Sequence, residues 1–379
     1  MKTITYELIW DDKLEFLKPS VEFLQGEFGS ASEEEQWTLS SMRWKLGPEN
    51  PAGTGLMHVA VTNGRVIGTV SVTPKRVLID GEETNAMEIG DTYSNAVLRR
   101  KAVSSKSNVF EPRMDHYFNK SIFGRCVSEI SQRATRERGS LIYGTPNQNS
   151  LPGYVGRLGF EIAPGFPIRS ASRMTVTGLV DMFKLPLPLA KLVCLVLCPI
   201  QKLHSFALQA SLGLMQIKMK EGPPSTYDLE GLWMRAKPNT GFAMVRDAEY
   251  WQYRYLTNPL GDFRFFSFFK HQSLVGVVVT RKRVMGDGAV IVQVAEWMGN
   301  QQFSFIGALN QVIKETTDKT VVKINLWVNT RSPDFLAVLF NGFIPRAKVP
   351  VIFFKSPFAD PPALKAANRG FFLASSDNV

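Results

Sequence analysis

The chain resembles itself, and this internal repeat constrains its fold more than any other feature. In two places an Asn-Pro pair and a glycine precede an apolar run, a polar turn and a second apolar run that opens on Ile-Gly or Val-Gly. Pro51 matches Pro259 and Gly68 matches Gly276, each at a separation of 208 residues. The sequence therefore predicts two copies of one folding unit, and 379 residues are more than one compact core usually holds.

A second match lies further along each copy. Gly159-Phe160 corresponds to Gly342-Phe343 at a separation of 183 residues, which is 25 fewer than for the first anchors. The first copy is therefore expected to hold that many extra residues between its anchors. The segment 95–118 is polar, basic and without periodicity, which predicts a long surface loop.

The local patterns of each copy predict an α/β (α+β) unit. In the first copy, β-rich runs at 56–61 and 66–72 flank the turn pair Asn63-Gly64, which is typical of a hairpin. Further elements follow along the chain: strands at 77–80 and 87–93, a helix at 122–138, a strand at 141–143 and a helix at 150–158 that ends at Gly159. Their order predicts a sheet that is mostly antiparallel, with one parallel crossover near its end.

We expect three parts along the chain: a first domain at 1–172 that binds a cofactor, a helical connector at 173–225, and a degenerate second domain at 226–379. The connector contains the apolar segment 185–214, whose longest continuously apolar run, 192–200, is shorter than the roughly 20 residues of a spanning helix. It predicts an amphipathic helix that covers the junction between the domains, with peripheral membrane contact as the alternative.

Composition narrows the class of partner. The net charge of +10 suits a polyanionic ligand, such as a cofactor with several phosphates. No RNA-binding or helix-turn-helix signature accompanies the charge, so no specific nucleic acid is expected. Three cysteines without disulfide spacing and the absence of a signal-peptide pattern predict a cytoplasmic protein, and four histidines without clustering predict no metal site.

Four motifs carry a family resemblance: EIGDTYS at 88–94, IYGTPN at 142–147, the pair Asn149-Ser150 and RLGF at 157–160. Together they resemble the GNAT superfamily of acyl-CoA N-acyltransferases, and within it a bacterial subgroup with tandem GNAT-like domains. The resemblance implies two such domains, each a mixed, mostly antiparallel sheet flanked by helices. It also implies transfer of an acetyl group from acetyl-CoA, the acyl donor, to a primary amine of a small metabolite or amino sugar.

In this family a strand runs into a glycine-rich turn, and the turn with the next helix N-terminus holds the pyrophosphate of coenzyme A. The turn aligns with 118–124, where Phe118 and Ser121 stand for the usual Arg or Gln and the first Gly. The alternative makes Ser121 a helix N-cap and Gly124 a packing residue. The implied cofactor-binding residues, among which Asn149 would bind the pantetheine arm, are Thr92, Tyr93, Ser94, Lys120, Ser121, Ile122, Phe123, Gly124, Asn147 and Asn149.

The catalytic candidates are one tyrosine and two carboxylates. The resemblance implies that Tyr154 protonates the leaving thiolate, and a packed core tyrosine is the alternative. Glu88 and Asp91 are candidate bases that remove the proton of the amine. Because strand side chains alternate, we expect them on opposite faces with only one facing the cleft. Either carboxylate could instead be structural, and His116 and Tyr143 are reserve candidates.

The second copy differs where chemistry is expected. Residues 298–314 contain no basic glycine-rich turn, and NLWVN at 325–329 replaces the YGTPN motif. We expect this copy to shape the substrate cleft or a homodimer interface. Five phenylalanines within 263–269 put aromatic side chains on both faces of one strand, which predicts burial on both sides.

Two other functions stay open. One is a Fem-like aminoacyl-tRNA-dependent peptidyltransferase, which would use the basic charge to hold tRNA. The other is a non-catalytic GNAT-fold protein that binds a partner or a membrane through 185–214.

Overall fold

The structure, a computed structural model, describes residues 7–11, 13–28, 38–95, 121–138, 141–163, 166–176, 179–180, 186–189, 191–192, 210, 212–213, 216–239, 241–285 and 288–354. Nearly all of the predicted loop at 95–118 and most of the segment 185–214 lie outside these residues. The candidates Lys120 and His116 also lie outside them, as does Phe118.

The first copy contains the predicted elements in the predicted order, except that the runs predicted as separate strands at 66–72 and 77–80 belong to one continuous strand. The hairpin is confirmed, since Asn63 and Gly64 both have positive φ, at 49° and 72°, as a two-residue turn of this type requires. The helix predicted at 122–138 spans those residues. The elements are β1 (Glu7–Trp10), α1 (Leu17–Phe28), α2 (Leu39–Leu46), β2 (Leu56–Thr62), β3 (Arg65–Ile79), β4 (Glu82–Ser94), α3 (Ile122–Arg138), β5 (Leu141–Gly144), α4 (Leu151–Arg157) and β6 (Phe160–Ile162).

The rest of the chain repeats the pattern. Phe265, Phe266 and Phe268 are buried, which confirms that their strand is covered on both faces. The elements are β7 (Ile168–Met174), β8 (Ile217–Glu221), α5 (Thr226–Ala236), β9 (Phe242–Met244), α6 (Ala248–Trp251) with a π-helical turn (Gln252–Leu256), β10 (Phe263–Lys270), β11 (Ser273–Val284), β12 (Val290–Gly299), α7 (Phe305–Thr316), β13 (Val321–Asn329), α8 (Asp334–Phe340), β14 (Ile344–Val349) and β15 (Ile352–Phe354).

The strands form two mixed sheets of the same order. The first sheet runs β1-β2-β3-β4-β5-β15-β6, with β9 added beside β3, and the second runs β8-β10-β11-β12-β13-β7-β14. Within the described residues, the parallel pairs are β4 with β5 and β12 with β13. The predicted fold class, with mixed and mostly antiparallel sheets flanked by helices, is confirmed.

The sheets exchange one strand each. Strand β15, near the end of the described chain, lies between β5 and β6 of the first sheet. Strand β7, which follows the first copy directly, lies between β13 and β14 of the second sheet. Each sheet is therefore completed by a strand from the other part of the chain. The division at 1–172, 173–225 and 226–379 stays a prediction.

Helices cover both faces of the first sheet. Helices α1 and α2 pack on one face, where Leu17 and Met42 meet Val59 of β2. Helices α3 and α4 pack on the other, where Val127 and Tyr154 meet Met87 of β4. No helix in the described part of the chain is both long enough and apolar enough to cross a membrane.

Candidate active site

The two central parallel strands of the first sheet separate partway along their length. Strand β4 pairs with β5 only from Ala86 to Glu88, opposite Leu141 to Tyr143. Strand β4 then continues to Ser94, and its edge over 89–94 has no partner strand among the described residues. An unpaired edge offers backbone donors and acceptors to any extended ligand that lies along it. We call these residues the open edge.

The open edge contains a β-bulge. In the pairing of β4 with β3, Asp91 and Thr92 together stand opposite the single residue Val70. Asp91 adopts a φ of 46°, a left-handed conformation that few residues other than glycine take. A bulge adds one residue to one strand and shifts the alternation of all side chains beyond it.

The bulge places Glu88 and Asp91 on the same face of the sheet. Glu88 forms an ion pair with Lys75, and Asp91 accepts a hydrogen bond from Ser71. Lys75 and Ser71 are four residues apart on a regular stretch of β3, so their side chains share a face. The expectation that the two carboxylates point to opposite faces is therefore wrong, because it assumed unbroken alternation.

Asp91 is held from two elements. Lys45 Nζ of α2 donates to Asp91 Oδ2 at 2.7 Å, and the two side chains are 10% and 9% exposed. The hydroxyl of Ser71 donates to the same oxygen, and the hydroxyl of Thr69 donates to the backbone oxygen of Asp91 at 2.8 Å. A buried carboxylate requires such partners.

Glu88 lies next to a hydroxyl that needs a partner. Glu88 is 4% exposed, and its Oε2 is 3.4 Å from Lys75 Nζ. Thr73 lies directly opposite Glu88, is 1% exposed, and has no hydrogen-bond partner for its Oγ1 among the described residues. Such a buried polar atom calls for an explanation, and a ligand is one. We call this set the polar row: Ser71, Thr73, Lys75, Glu88 and Asp91.

Tyr154 of α4 lies on the other face of β4. Its hydroxyl donates to Thr92 Oγ1 at 2.8 Å, and its ring makes edge contacts with Phe123 and Phe160 at centroid distances of 5.5 and 5.0 Å. Burial raises the pKa of Tyr154 well above its usual value, and the charge of Asp91 adds to this, although the hydrogen bond to Thr92 opposes it. The tyrosine is thus both packed in the core and bonded to the open edge.

Helix α3 begins beside the end of the open edge. Ser121 Oγ accepts a hydrogen bond from the amide of Gly124 at 2.9 Å, so Ser121 has the N-cap geometry of the alternative interpretation. A Cβ at Gly68 would lie 2.4 Å from Ile122 Cγ2, and Gly68 pairs with Ser94 of β4. The helix N-terminus, with its positive dipole end, therefore adjoins Ser94.

The remaining predicted residues are spread around this centre. Asn147 Oδ1 accepts the amides of Asn149 and Ser150 at 3.0 Å, so its side chain shapes the turn before α4. Asn149 is exposed on that turn. Tyr143 is fully buried in a hydrophobic cluster. Tyr93 lies on the α1 face of β4, where its ring contacts Phe23 at a centroid distance of 5.9 Å.

Sequence reasoning missed Lys45 and the β3 side of the polar row. A signal for the latter exists, because Ser71, Thr73 and Lys75 alternate with Val70 and Val72 in β3. That period of two marks a polar face. No local pattern marks Lys45, which reaches Asp91 only through the packing of α2 on the sheet.

The corresponding region of the second sheet is filled by aromatic side chains. Gly276 and Gly299 pair across β11 and β12, and a Cβ on either would lie about 2 Å from the ring of Phe303. Trp297 of β12 stacks on Phe305, the first residue of α7, at a centroid distance of 4.3 Å. Its indole also donates to the Asp334 carboxylate, at the start of α8, at 3.2 Å. Aromatic rings thus occupy the space between β12 and the two helix N-termini.

Solved structures share this arrangement of strands and helices. One is a conserved protein of unknown function and probable N-acyltransferase from Enterococcus faecalis V583, with 11% identity and a TM-score of 0.54, covering 92% of this chain and 72% of its own. Another is a GCN5-related N-acetyltransferase from Anabaena variabilis ATCC 29413, with 10% identity and a TM-score of 0.53, at the same coverage of 92% and 72%.

A third is the GCN5-related glucosamine N-acetyltransferase region of a fungal multi-domain GH3 β-N-acetylglucosaminidase, with 11% identity and a TM-score of 0.57, covering 93% of this chain and 38% of that one. No protein-family model matches the sequence. No curated protein matches it either. At these identities the similarity concerns the fold, and the chain has the fold of the GCN5-related N-acetyltransferases.

Proposed function

We propose that the chain is a GNAT-type N-acyltransferase whose first copy moves an acetyl group from acetyl-CoA to a primary amine of a small metabolite or amino sugar. One observation carries the proposal: where β4 separates from β5, Tyr154 is bonded to one face of β4 and Glu88 lies on the other. A thioester at the open edge would have an acid on one side and a base on the other. The sequence resemblance to tandem GNAT proteins supports the same assignment.

The acyl donor would lie along the open edge. The edge of β4 over 89–94, which has no partner strand among the described residues, suits the amide-rich pantetheine arm, which can add to a sheet edge as a short strand does. The N-terminus of α3 adjoins Ser94, and its amides and dipole suit the pyrophosphate. Because Ser121 accepts a hydrogen bond from the amide of Gly124, the amides of Ile122 and Phe123 would be the ones that bind the phosphate oxygens.

The acceptor amine would approach from the polar row. We assign the base to Glu88, because its contact with Lys75 at 3.4 Å is longer than the contacts that hold Asp91. Glu88 would take the proton of the amine as nitrogen attacks the thioester carbonyl. The hydroxyl of Thr73, directly opposite Glu88, would hydrogen-bond the substrate. Asp91 would fix the bulge rather than accept the proton.

Tyr154 would supply a proton to the departing thiolate. Its phenol is protonated at neutral pH, as that of an ordinary tyrosine is, so a proton is present when sulfur leaves. The hydrogen bond to Thr92 orients the hydroxyl at the open edge. After transfer, Glu88 releases its proton to solvent and Tyr154 takes one proton from solvent, so both groups return to their starting states with no net change in protons.

The second copy would bind no acyl donor. Phe303 lies on Gly276 and Gly299, and Trp297 bridges β12 to α7 and α8. These rings fill the space that corresponds to the contact between Thr92 and Tyr154 in the first copy. A role in shaping the acceptor side of the first copy is what we propose for it.

The test is release of free coenzyme A thiol from acetyl-CoA in the presence of a panel of primary amines. We expect amine-dependent release that falls by about 100-fold or more in Glu88→Gln and in Tyr154→Phe, as for loss of a general base or acid. Matched controls are Glu315→Gln and Tyr227→Phe, whose side chains are exposed on distant helices. Release that no amine stimulates, or full activity in both variants, would contradict the proposal.

A further inference from the structure

The two copies contact each other through matching elements. Helix α2 and the π-helical turn 252–256 each precede the Asn-Pro pair of their own copy. Trp44 of α2 stacks on Tyr253 of the turn, with ring centroids 4.6 Å apart and planes at 16°. Trp44 Nε1 donates to the backbone oxygen of Tyr253 at 3.2 Å, and Tyr253 Oη donates to that of Trp44 at 2.7 Å. We call this reciprocal pair the clamp.

The clamp is one residue away from the group that holds the bulge. Lys45 follows Trp44 in α2 and donates to Asp91 at 2.7 Å. Helix α2 has only eight residues, and its first turn is fixed by a capping box between Thr38 and Ser41. Within so short a helix, a shift of Trp44 moves the backbone of Lys45 with it.

The conformation at the bulge depends on external support. A non-glycine residue in the left-handed region is strained, and such residues persist only when surrounding contacts hold them. For Asp91 those contacts come from Lys45 and from two hydroxyls of β3. Removal of the ammonium would leave a buried carboxylate without this cation, which favours a different arrangement of the strand.

We propose that Lys45 is a positioning residue for the open edge, and that the second copy keeps Lys45 in place through the clamp. The second copy thereby sets the geometry of a site to which it contributes no reacting group. The use of the edge by acetyl-CoA rests on the proposed function. The mechanical link from Tyr253 through Trp44 and Lys45 to Asp91 does not.

The link is tested by hydrogen–deuterium exchange of peptides that cover 89–94, measured on the free full-length protein. Tyr253→Phe keeps the stacked ring but loses one hydrogen bond, and we expect exchange to rise about fivefold. Lys45→Met should raise it by about tenfold or more, and Lys45→Arg should restore most of the protection. Tyr227→Phe, at an exposed position of α5, is the matched control and should leave exchange unchanged.

Calorimetric titration with acetyl-CoA adds the functional readout. We expect weaker binding in Tyr253→Phe and Lys45→Met, and Asp91→Asn should make the Lys45→Met substitution nearly silent, because both act on one contact. If the wild type binds no acetyl-CoA, the proposed function fails. The hydrogen–deuterium exchange data still test the mechanical link from Tyr253 to Asp91. Exchange at 89–94 that rises in Lys45→Met but not in Tyr253→Phe would overturn the role of the second copy.

Discussion

At the scale of single residues, His58 shows how burial sets chemistry. Its ring is fully buried and stacks on Trp10 with a centroid distance of 3.9 Å and planes at 4°. Burial lowers the pKa of His58 to about 4, the backbone oxygen of Cys126 opposes the shift, and Arg133 and Arg125 add to it. The folded chain therefore holds this histidine neutral at physiological pH.

This predicts an acid-sensitive contribution to stability. The folded pKa lies below the unfolded value of 6.5, so the contribution is complete above pH 6.5 and is lost as pH falls toward 4. At pH 5 the loss is about 2 kcal/mol. We expect the melting temperature of the wild type to fall more between pH 7 and pH 5 than that of His58→Phe, which keeps a stacked ring. Equal falls would contradict the buried neutral state.

Asp91 shows what the sequence could not predict about single residues, namely the face of the strand on which a side chain lies. The residues of the candidate site could be chosen from motifs, and Glu88, Asp91 and Tyr154 do lie around one strand. Their faces could not be chosen, because a bulge of one residue reverses every side chain beyond it. Asp91 is held by Lys45 and by hydroxyls of β3, which no local pattern around Asp91 reveals.

At the scale of elements, local sequence patterns predict turns and helices, but they do not predict which strands pair across the molecule. The Asn-Gly turn and the apolar period of α3 are encoded within a few residues, so both were predictable. The placement of β7 in the second sheet and of β15 in the first sheet was not predictable. Both strands follow the Gly-Phe pair of their copy, and nothing in their composition says which sheet they join.

Because β15 lies in the first sheet, a substitution in β15 is predicted to destabilise its neighbours β5 and β6. Ile352 of β15 is fully buried between Gly144 and Ile162. Ile352→Ala should cost about 2–5 kcal/mol and raise hydrogen exchange at 141–144 and 160–162. Ile344→Ala on β14, where the side chain is 61% exposed, is the matched control. Unchanged exchange at 141–144 would argue against the pairing.

At the scale of the whole molecule, the two parts of the chain share strands. The first sheet includes β15 and the second includes β7, and the clamp joins the two parts through Trp44 and Tyr253. A single chain thus contains an interface with the reciprocal contacts of a two-fold dimer.

Two fragments of the chain should therefore fold only when they associate with each other. We expect residues 1–200 and 201–379, expressed together as two chains, to purify as one complex. Residues 1–200 expressed alone should lack a cooperative melting transition, because β6 would lose its partner β15. A piece that folds alone with the stability of the intact chain would show that the exchanged strands are dispensable.

The central claim is that the acyl donor binds at the open edge of the first copy. The most direct measurement is a crystal structure of the full chain with coenzyme A at millimolar concentration. We expect one molecule per chain, with its pantetheine arm along 89–94, its pyrophosphate at the start of α3 and its sulfur near Tyr154. A molecule between β12 and β13, or no binding at all, would contradict it.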